Sequence, residues 1–167
     1  LVGDDIILTK KIGTGIYLTA FQDDQLKENE YDELIASMVH SNKKASEIAI
    51  SHNVHAMTDV TGFGLLGHLS NVANASKVAI RINSKNIPVF NNFESLVFQG
   101  VTTGGFVRNY ESFNQNIFNL SNMNTLAQMT LLDPQTSGGL LLFVDSNKTK
   151  NICEDLKKAG EHAFIIG

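Results

Sequence analysis

The stretch His55–Leu69 (His-Ala-Met-Thr-Asp-Val-Thr-Gly-Phe-Gly-Leu-Leu-Gly-His-Leu) constrains the fold most, because a turn bearing a carboxylate, hydroxyls and glycines joins a short apolar run to an amphipathic helix. Leu65, Leu66, Leu69, Val72 and Ala73 share one helical face, and Gly64, His68 and Asn71 lie on its flank. The start of such a helix offers unpaired N–H groups and the positive end of the dipole, so an anion beside Thr61, Gly62 and Gly64 needs no lysine. Asp59 repels that anion unless a divalent cation sits between them, and Mg²⁺ is commonly held by one or two carboxylates plus substrate phosphates. Spacing alone fits a plainer reading equally well, in which Asp59 and Thr61 only cap the helix. The turn Thr58–Gly64 is therefore a candidate nucleotide or metal–phosphate site with Asp59 as its metal ligand.

Bulk properties remove other classes. A chain of 167 residues with 43% hydrophobic and 18% charged residues suits one ordinary globular domain with a full core. A net charge of −4 and the lack of a basic stripe argue against a nucleic-acid partner. The longest apolar runs, such as Gly139–Val144, fall far below a membrane span, and no signal-peptide core opens the chain, so no membrane partner is expected. One cysteine, Cys153, rules out an internal disulfide and fits a reducing compartment, which makes the cytoplasm the expected location. Leu1 opens almost directly into a strand-like run, as expected for a piece of a longer protein.

Along the chain, Asp5–Thr9 reads as a strand entering the glycine turn Gly13-Thr14-Gly15, with Lys10 and Lys11 facing solvent. Tyr31–Val39 and a segment around Ala45–Ala49 read as helices, and His40 and His52 suit their C-terminal ends. Val54–Thr58 reads as the strand that delivers Asp59. His55 and His68 are not a zinc pair, because no third or fourth ligand accompanies them; His68 is either a packing residue or a neighbour of the phosphate loop. Val78–Ile82 reads as a strand, Phe90–Phe98 as a helix and Thr102–Gly105 as a second glycine turn. Asparagine-rich Ser112–Asn124 reads as an exposed excursion. Asp133–Gly139 turns into a strand at Leu140–Val144, so Thr136, Ser137, Gly138 and Gly139 are either a second wall of the nucleotide site or a strand-entry turn. A helix over Lys148–Ala159 places Cys153 in the core, and Glu161–Ile166 closes the chain as a strand. Interleaved strands and helices of these lengths predict an α/β sandwich.

The string Thr58–His68 resembles the signature of selenophosphate synthetases (selenide, water dikinases). Gly3-Asp4, Ile7–Lys10, Gly13–Gly15, Gly104-Gly105 with Asn109, and Asp133–Leu141 resemble that family in the same order. The resemblance covers nearly the whole chain but only the family's C-terminal domain. It implies an α/β (α+β) fold, a mixed β-sheet layered between helices as in the C-terminal domain of aminoimidazole ribonucleotide synthetase.

The resemblance also implies a chemistry: ATP, selenide and water give selenophosphate, AMP and orthophosphate with the help of Mg²⁺. It makes Asp59 a Mg²⁺ ligand and Thr61, Gly62, Gly64, Thr136, Ser137, Gly138 and Gly139 the nucleotide-binding residues. The family's reactive cysteine or selenocysteine, lysine and further aspartates belong to an N-terminal catalytic domain that this sequence does not contain. The 167 residues alone are then expected to be inactive, and the longer protein to be a homodimer. Cys153 is no substitute nucleophile, since it lies mid-helix without an activating histidine. Two other readings stay open: a domain of a sister ATP-using enzyme (aminoimidazole ribonucleotide or formylglycinamidine synthetase, thiamine-monophosphate kinase, hydrogenase maturation protein), and a non-catalytic nucleotide-binding module.

Overall fold

Leu140–Val144 has apolar side chains on both of its faces, which a strand tolerates only where both are covered. The computed structural model, which describes residues 1–113 and 120–167, places this run at an inner position of a four-stranded sheet. In chain order β1 (Asp4–Leu8) leads to α1 (Thr14–Gln22), α2 (Glu28–Val39) and α3 (Lys43–Ser51). β2 (Ala56–Asp59) is followed by α4 (Gly64–Ser76), α5 (Phe93–Phe98), α6 (Gly104–Phe113) and α7 (Thr125–Leu132). β3 (Leu140–Asp145), α8 (Thr149–Lys158) and β4 (Phe164–Ile165) complete the order.

The strands lie in the order β2-β3-β1-β4, and each ladder is antiparallel, with Ile7 opposite Leu142 and Asp59 opposite Leu140. Among the described residues, parallel pairing is confined to a bridge between Ile12 and Val89 outside the strands. Because side chains alternate across a strand, Ile6, Leu8, Leu141 and Phe143 face Leu65, Leu66 and Leu69 of α4 and Leu131 and Leu132 of α7. Ile7, Leu140, Leu142 and Val144 face Ala45 and Ala49 of α3 and Ile152 and Leu156 of α8. Helices thus cover both faces of the sheet, the layering expected from the sequence.

Five expectations need correction. Thr14 and Gly15, read as part of a glycine turn, instead open α1: β-branched and aromatic residues weaken helix propensity, but Ile16, Tyr17 and Ala20 are buried with Leu34, Phe90 and Phe93, and packing decides. Lys10, expected in solvent, is 5% exposed. Val78–Ile82 keeps a strand's alternation of half-buried and exposed residues, yet it forms no ladder. Just beyond it, Asn83 N–H donates to the carbonyl of Ile166, the residue after β4, at 2.6 Å. Gly104-Gly105 opens α6 and is not a turn, while the helix predicted from Phe90 begins at Phe93. Of the predicted excursion at Ser112–Asn124, residues 114–119 lie outside the described residues, and Leu120 is 1% exposed.

Candidate functional site

β2 is an edge strand, and its last residue, Asp59, is exposed; no hydrogen bond or ion pair engages its carboxylate among the described residues. The chain then dives: Val60 is fully buried and its N–H donates to the Gly139 carbonyl at 2.9 Å. The Thr61 carbonyl accepts from the N–H groups of Gly64 and Gln135, each at 3.0 Å. Thr61 N–H donates to Nε2 of His68 at 3.0 Å, with Thr61 Oγ1 3.2 Å from the same nitrogen. An Nε2 that accepts a backbone N–H is unprotonated, which places the ring proton on Nδ1. Burial also holds the His68 pKa below its ordinary value, partly offset by the charge of Asp59. His68 is thus a satisfied residue that fixes the turn, and Thr61 N–H is not available to an anion.

Asn109, 5% exposed, donates from Nδ2 to the carbonyls of Gly62 and Leu132, both at 2.9 Å. These bonds fix the top of the turn while the N–H groups of Gly62 and Phe63 keep no partner among the described residues. The two glycines differ in what they do. Gly62 has open space around it, so a ligand can approach its backbone. Gly64 has φ +66°, and a Cβ there would lie 2.8 Å from the Leu132 carbonyl carbon, so it serves the packing of α4 on α7.

The loop from Asp133 to Gly139 lies against this turn, through the Gln135–Thr61 and Val60–Gly139 hydrogen bonds and the Asp59–Leu140 register. Its base is a buried polar network. Gln135 Oε1 accepts from Gly13 N–H at 3.0 Å and from Thr14 N–H and Oγ1 at 3.2 Å. Gln135 Nε2 donates to Asp133 Oδ2 at 2.8 Å, and Gly15 N–H donates to the same oxygen at 3.1 Å. Asp133 is fully buried, and its Oδ1 has no partner among the described residues. Burial pushes its pKa up to about 7 against the opposing pull of Gln135 and the N–H groups of Gly15 and Ile16. Thr136 and Ser137 are exposed above this base, and Ser137 adopts a left-handed φ of +51°. Gly138 and Gly139 are buried: a Cβ on Gly138 would collide with the Val60 carbonyl oxygen, and one on Gly139 would lie 2.5 Å from the Lys10 backbone nitrogen.

The turn bearing Asp59, Thr61 and Gly62 and the loop bearing Thr136 and Ser137 thus adjoin, while Gly64, Gly138 and Gly139 pack without room for a side chain against Leu132, Val60 and Lys10 respectively. Among the described residues no group of three or more His, Cys, Asp or Glu side chains is placed to hold a metal ion. A lone exposed carboxylate fits Mg²⁺ only as one ligand beside ligand phosphates or groups from outside this chain. Three of the other four histidines pair with carboxylates elsewhere, His55 with Asp4 at 2.8 Å, His52 with Asp155 at 3.0 Å and His40 with Glu161 at 2.8 Å, and His162 lies against Phe164. Cys153 is half-buried against the β3–α8 core, and burial raises its thiol pKa. A cleft of about 340 Å³ bordered by Lys10, Lys11, Ser37, His40 and His162 includes none of the Asp59 turn.

The family described as AIR synthase related protein, C-terminal domain, matches residues 2–167. The chain belongs to that family. As an AIR synthase related C-terminal domain it is similar to curated proteins named selenide, water dikinase. It is 36% identical over 166 residues to that of Clostridioides difficile (strain 630), covering 99% of this chain and 48% of the relative. It is 38% identical over 160 residues to that of Treponema denticola, covering 96% and 45%. The chain thus spans about half the length of these relatives. The solved thiamine-monophosphate kinase from Stenotrophomonas maltophilia K279a shares the fold at TM-score 0.68 and 16% identity, covering all of this chain and 47% of that one. No helix among the described residues is long and apolar enough to cross a membrane.

Within this AIR synthase related domain, sequence reasoning located both loops but missed what holds them. Lys10 reads from the sequence as facing solvent, and Asp133, Gln135, Thr14 and Asn42 carry no role there. The available signal was that Asp133 and Gln135 sit between two apolar runs, Leu131-Leu132 and Leu140–Val144, and so had to be carried into the interior.

Proposed function

We propose that this chain is the C-terminal part of a two-domain selenide, water dikinase and forms one wall of its Mg²⁺–ATP site. The observation that carries the reading is Asp59: an exposed, unpaired carboxylate at a strand end, beside the open backbone of Gly62 and against the loop bearing Thr136 and Ser137. The identity of 36–38% to proteins of that name supports it. In this reading the N–H groups of Gly62 and Phe63, at the positive end of α4, meet phosphate oxygens, and the Thr136 and Ser137 hydroxyls close the opposite side. Asp59 supplies an oxygen to the metal. Bound Mg²⁺ would neutralise charge on the polyphosphate during phosphoryl transfer.

The reaction is ATP, selenide and water giving selenophosphate, AMP and orthophosphate. The nucleophile, the remaining metal ligands and the partner wall belong to an N-terminal domain, in a cytoplasmic homodimer; the 167 residues alone are inactive and bind ATP weakly. The test is Asp59→Asn in the two-domain protein, which keeps the shape of the side chain and removes its charge. Loss of Mg²⁺-dependent selenophosphate formation with an unchanged unfolding midpoint supports the reading, and turnover at the wild-type rate refutes it.

A further inference from the structure

Lys10 follows β1 into the interior, and its ammonium donates to the carbonyls of Ser37 at 3.0 Å, His40 at 2.7 Å and Ser137 at 2.9 Å. Ser37 and His40 end α2, where carbonyls lack helical partners and the dipole favours a cation. Burial lowers the Lys10 pKa, with the charge of Glu161 opposing. With three N–H bonds already directed to carbonyls, this ammonium has no donor left for a ligand. Asn42, immediately before α3, donates from Nδ2 to the Gly138 carbonyl at 2.9 Å.

Two consecutive loop carbonyls, those of Ser137 and Gly138, are therefore drawn toward the α2–α3 corner. The peptide bonds are trans, and a trans peptide directs its N–H opposite to its C=O. The N–H groups of Gly138 and Gly139 thus point away from that corner, and with Ser137 N–H they have no partner among the described residues. The left-handed Ser137, which non-glycine residues seldom adopt, sits where the Lys10 bond holds it.

We propose that Lys10 and Asn42 are positioning residues that aim the N–H groups of the Ser137–Gly139 turn at the nucleotide polyphosphate. Neither touches the ligand: each acts through a loop carbonyl. This inference rests on the Mg²⁺–ATP reading of the Asp59 turn.

The test measures kcat, KM for ATP and the urea unfolding midpoint for Lys10→Met and Asn42→Ala in the two-domain protein. Leu34→Ala, which disturbs α2 through the core without touching the loop, calibrates the effect of lost stability alone. The expected result is a KM about tenfold higher for each loop variant with kcat changed less than about threefold, and a KM within about twofold of wild type for Leu34→Ala. A wild-type KM in both loop variants, or a KM shift no larger than Leu34→Ala gives at equal stability loss, overturns the proposal. If Lys10→Met does not fold, Asn42→Ala decides by the same criteria. Wild-type turnover in Asp59→Asn would remove the site reading and this inference with it. Loss of turnover in Asp59→Asn together with wild-type KM values in the loop variants would remove the positioning role alone.

Discussion

Replacing Asp133 by Asn tests how the Asp133–Gly139 loop is anchored. The carboxyl is fully buried, and its pKa rises from 3.8 to about 7, chiefly through loss of hydration. A group whose folded pKa is raised is protonated more readily in the fold than in the unfolded chain. Between about pH 4 and pH 7 the folded state therefore binds more protons, and stability falls as pH rises. Below that window the group is neutral in both states; above it the full cost of a buried charge remains. At about 1.4 kcal/mol per pH unit the shift corresponds to about 4 kcal/mol. The Asn amide can keep the Gly15 and Gln135 contacts at one end, but it leaves an unpaired N–H where Oδ1 has no partner, at about 1–3 kcal/mol. Asp133→Asn is therefore expected to be more stable than wild type by about 1–3 kcal/mol at pH 8, and no more stable than wild type at pH 4. Urea unfolding followed by circular dichroism from pH 4 to pH 8 supplies the difference curve. A difference that does not change with pH, or a variant less stable than wild type at pH 8, would show that the donors around Oδ2 outweigh burial.

The glycines separate by role. Gly105→Ala places a Cβ 2.6 Å from Pro134 Cγ, and Gly138→Ala drives one into the Val60 carbonyl, so each should cost about 1–3 kcal/mol in urea unfolding. Gly62→Ala meets nothing within 4 Å and should stay within about 0.5 kcal/mol of wild type; equal losses at all three would refute the division. His68→Ala strands the Thr61 N–H and should destabilise by about 1–3 kcal/mol. In the wild type, nitrogen-detected NMR should find the His68 proton on Nδ1, with the ring titrating below 6.5; a proton on Nε2 at neutral pH contradicts the assigned bond. Because the folded pKa is lowered, this histidine should withdraw stability as pH falls below 6.5.

Periodicity made the core legible. Leu65, Leu66 and Leu69 on one helical face and the unbroken Leu140–Val144 run foretold α4 and β3, because burial alone decides those patterns. The two loops were legible as glycine-rich turns after or before apolar runs, and the Gln135–Thr61 bond brings them into contact. What stayed hidden depends on distant partners. α1 forms despite weak propensity because Tyr17 packs on Phe90 with ring centroids 4.7 Å apart, a contact no local window contains. Lys10 looks like any lysine beside a glycine turn until carbonyls 27, 30 and 127 residues away converge on it. Val78–Ile82 has a strand's alternation, but alternation reports burial and not a hydrogen-bonded neighbour.

The most direct measurement of the central claim is Mg²⁺-dependent selenophosphate formation by Asp59→Asn in the two-domain protein, read beside its urea unfolding midpoint. Because no hydrogen bond or ion pair engages this exposed carboxylate among the described residues, the expected result is an unchanged midpoint and abolished turnover. An unchanged midpoint with wild-type turnover would contradict it.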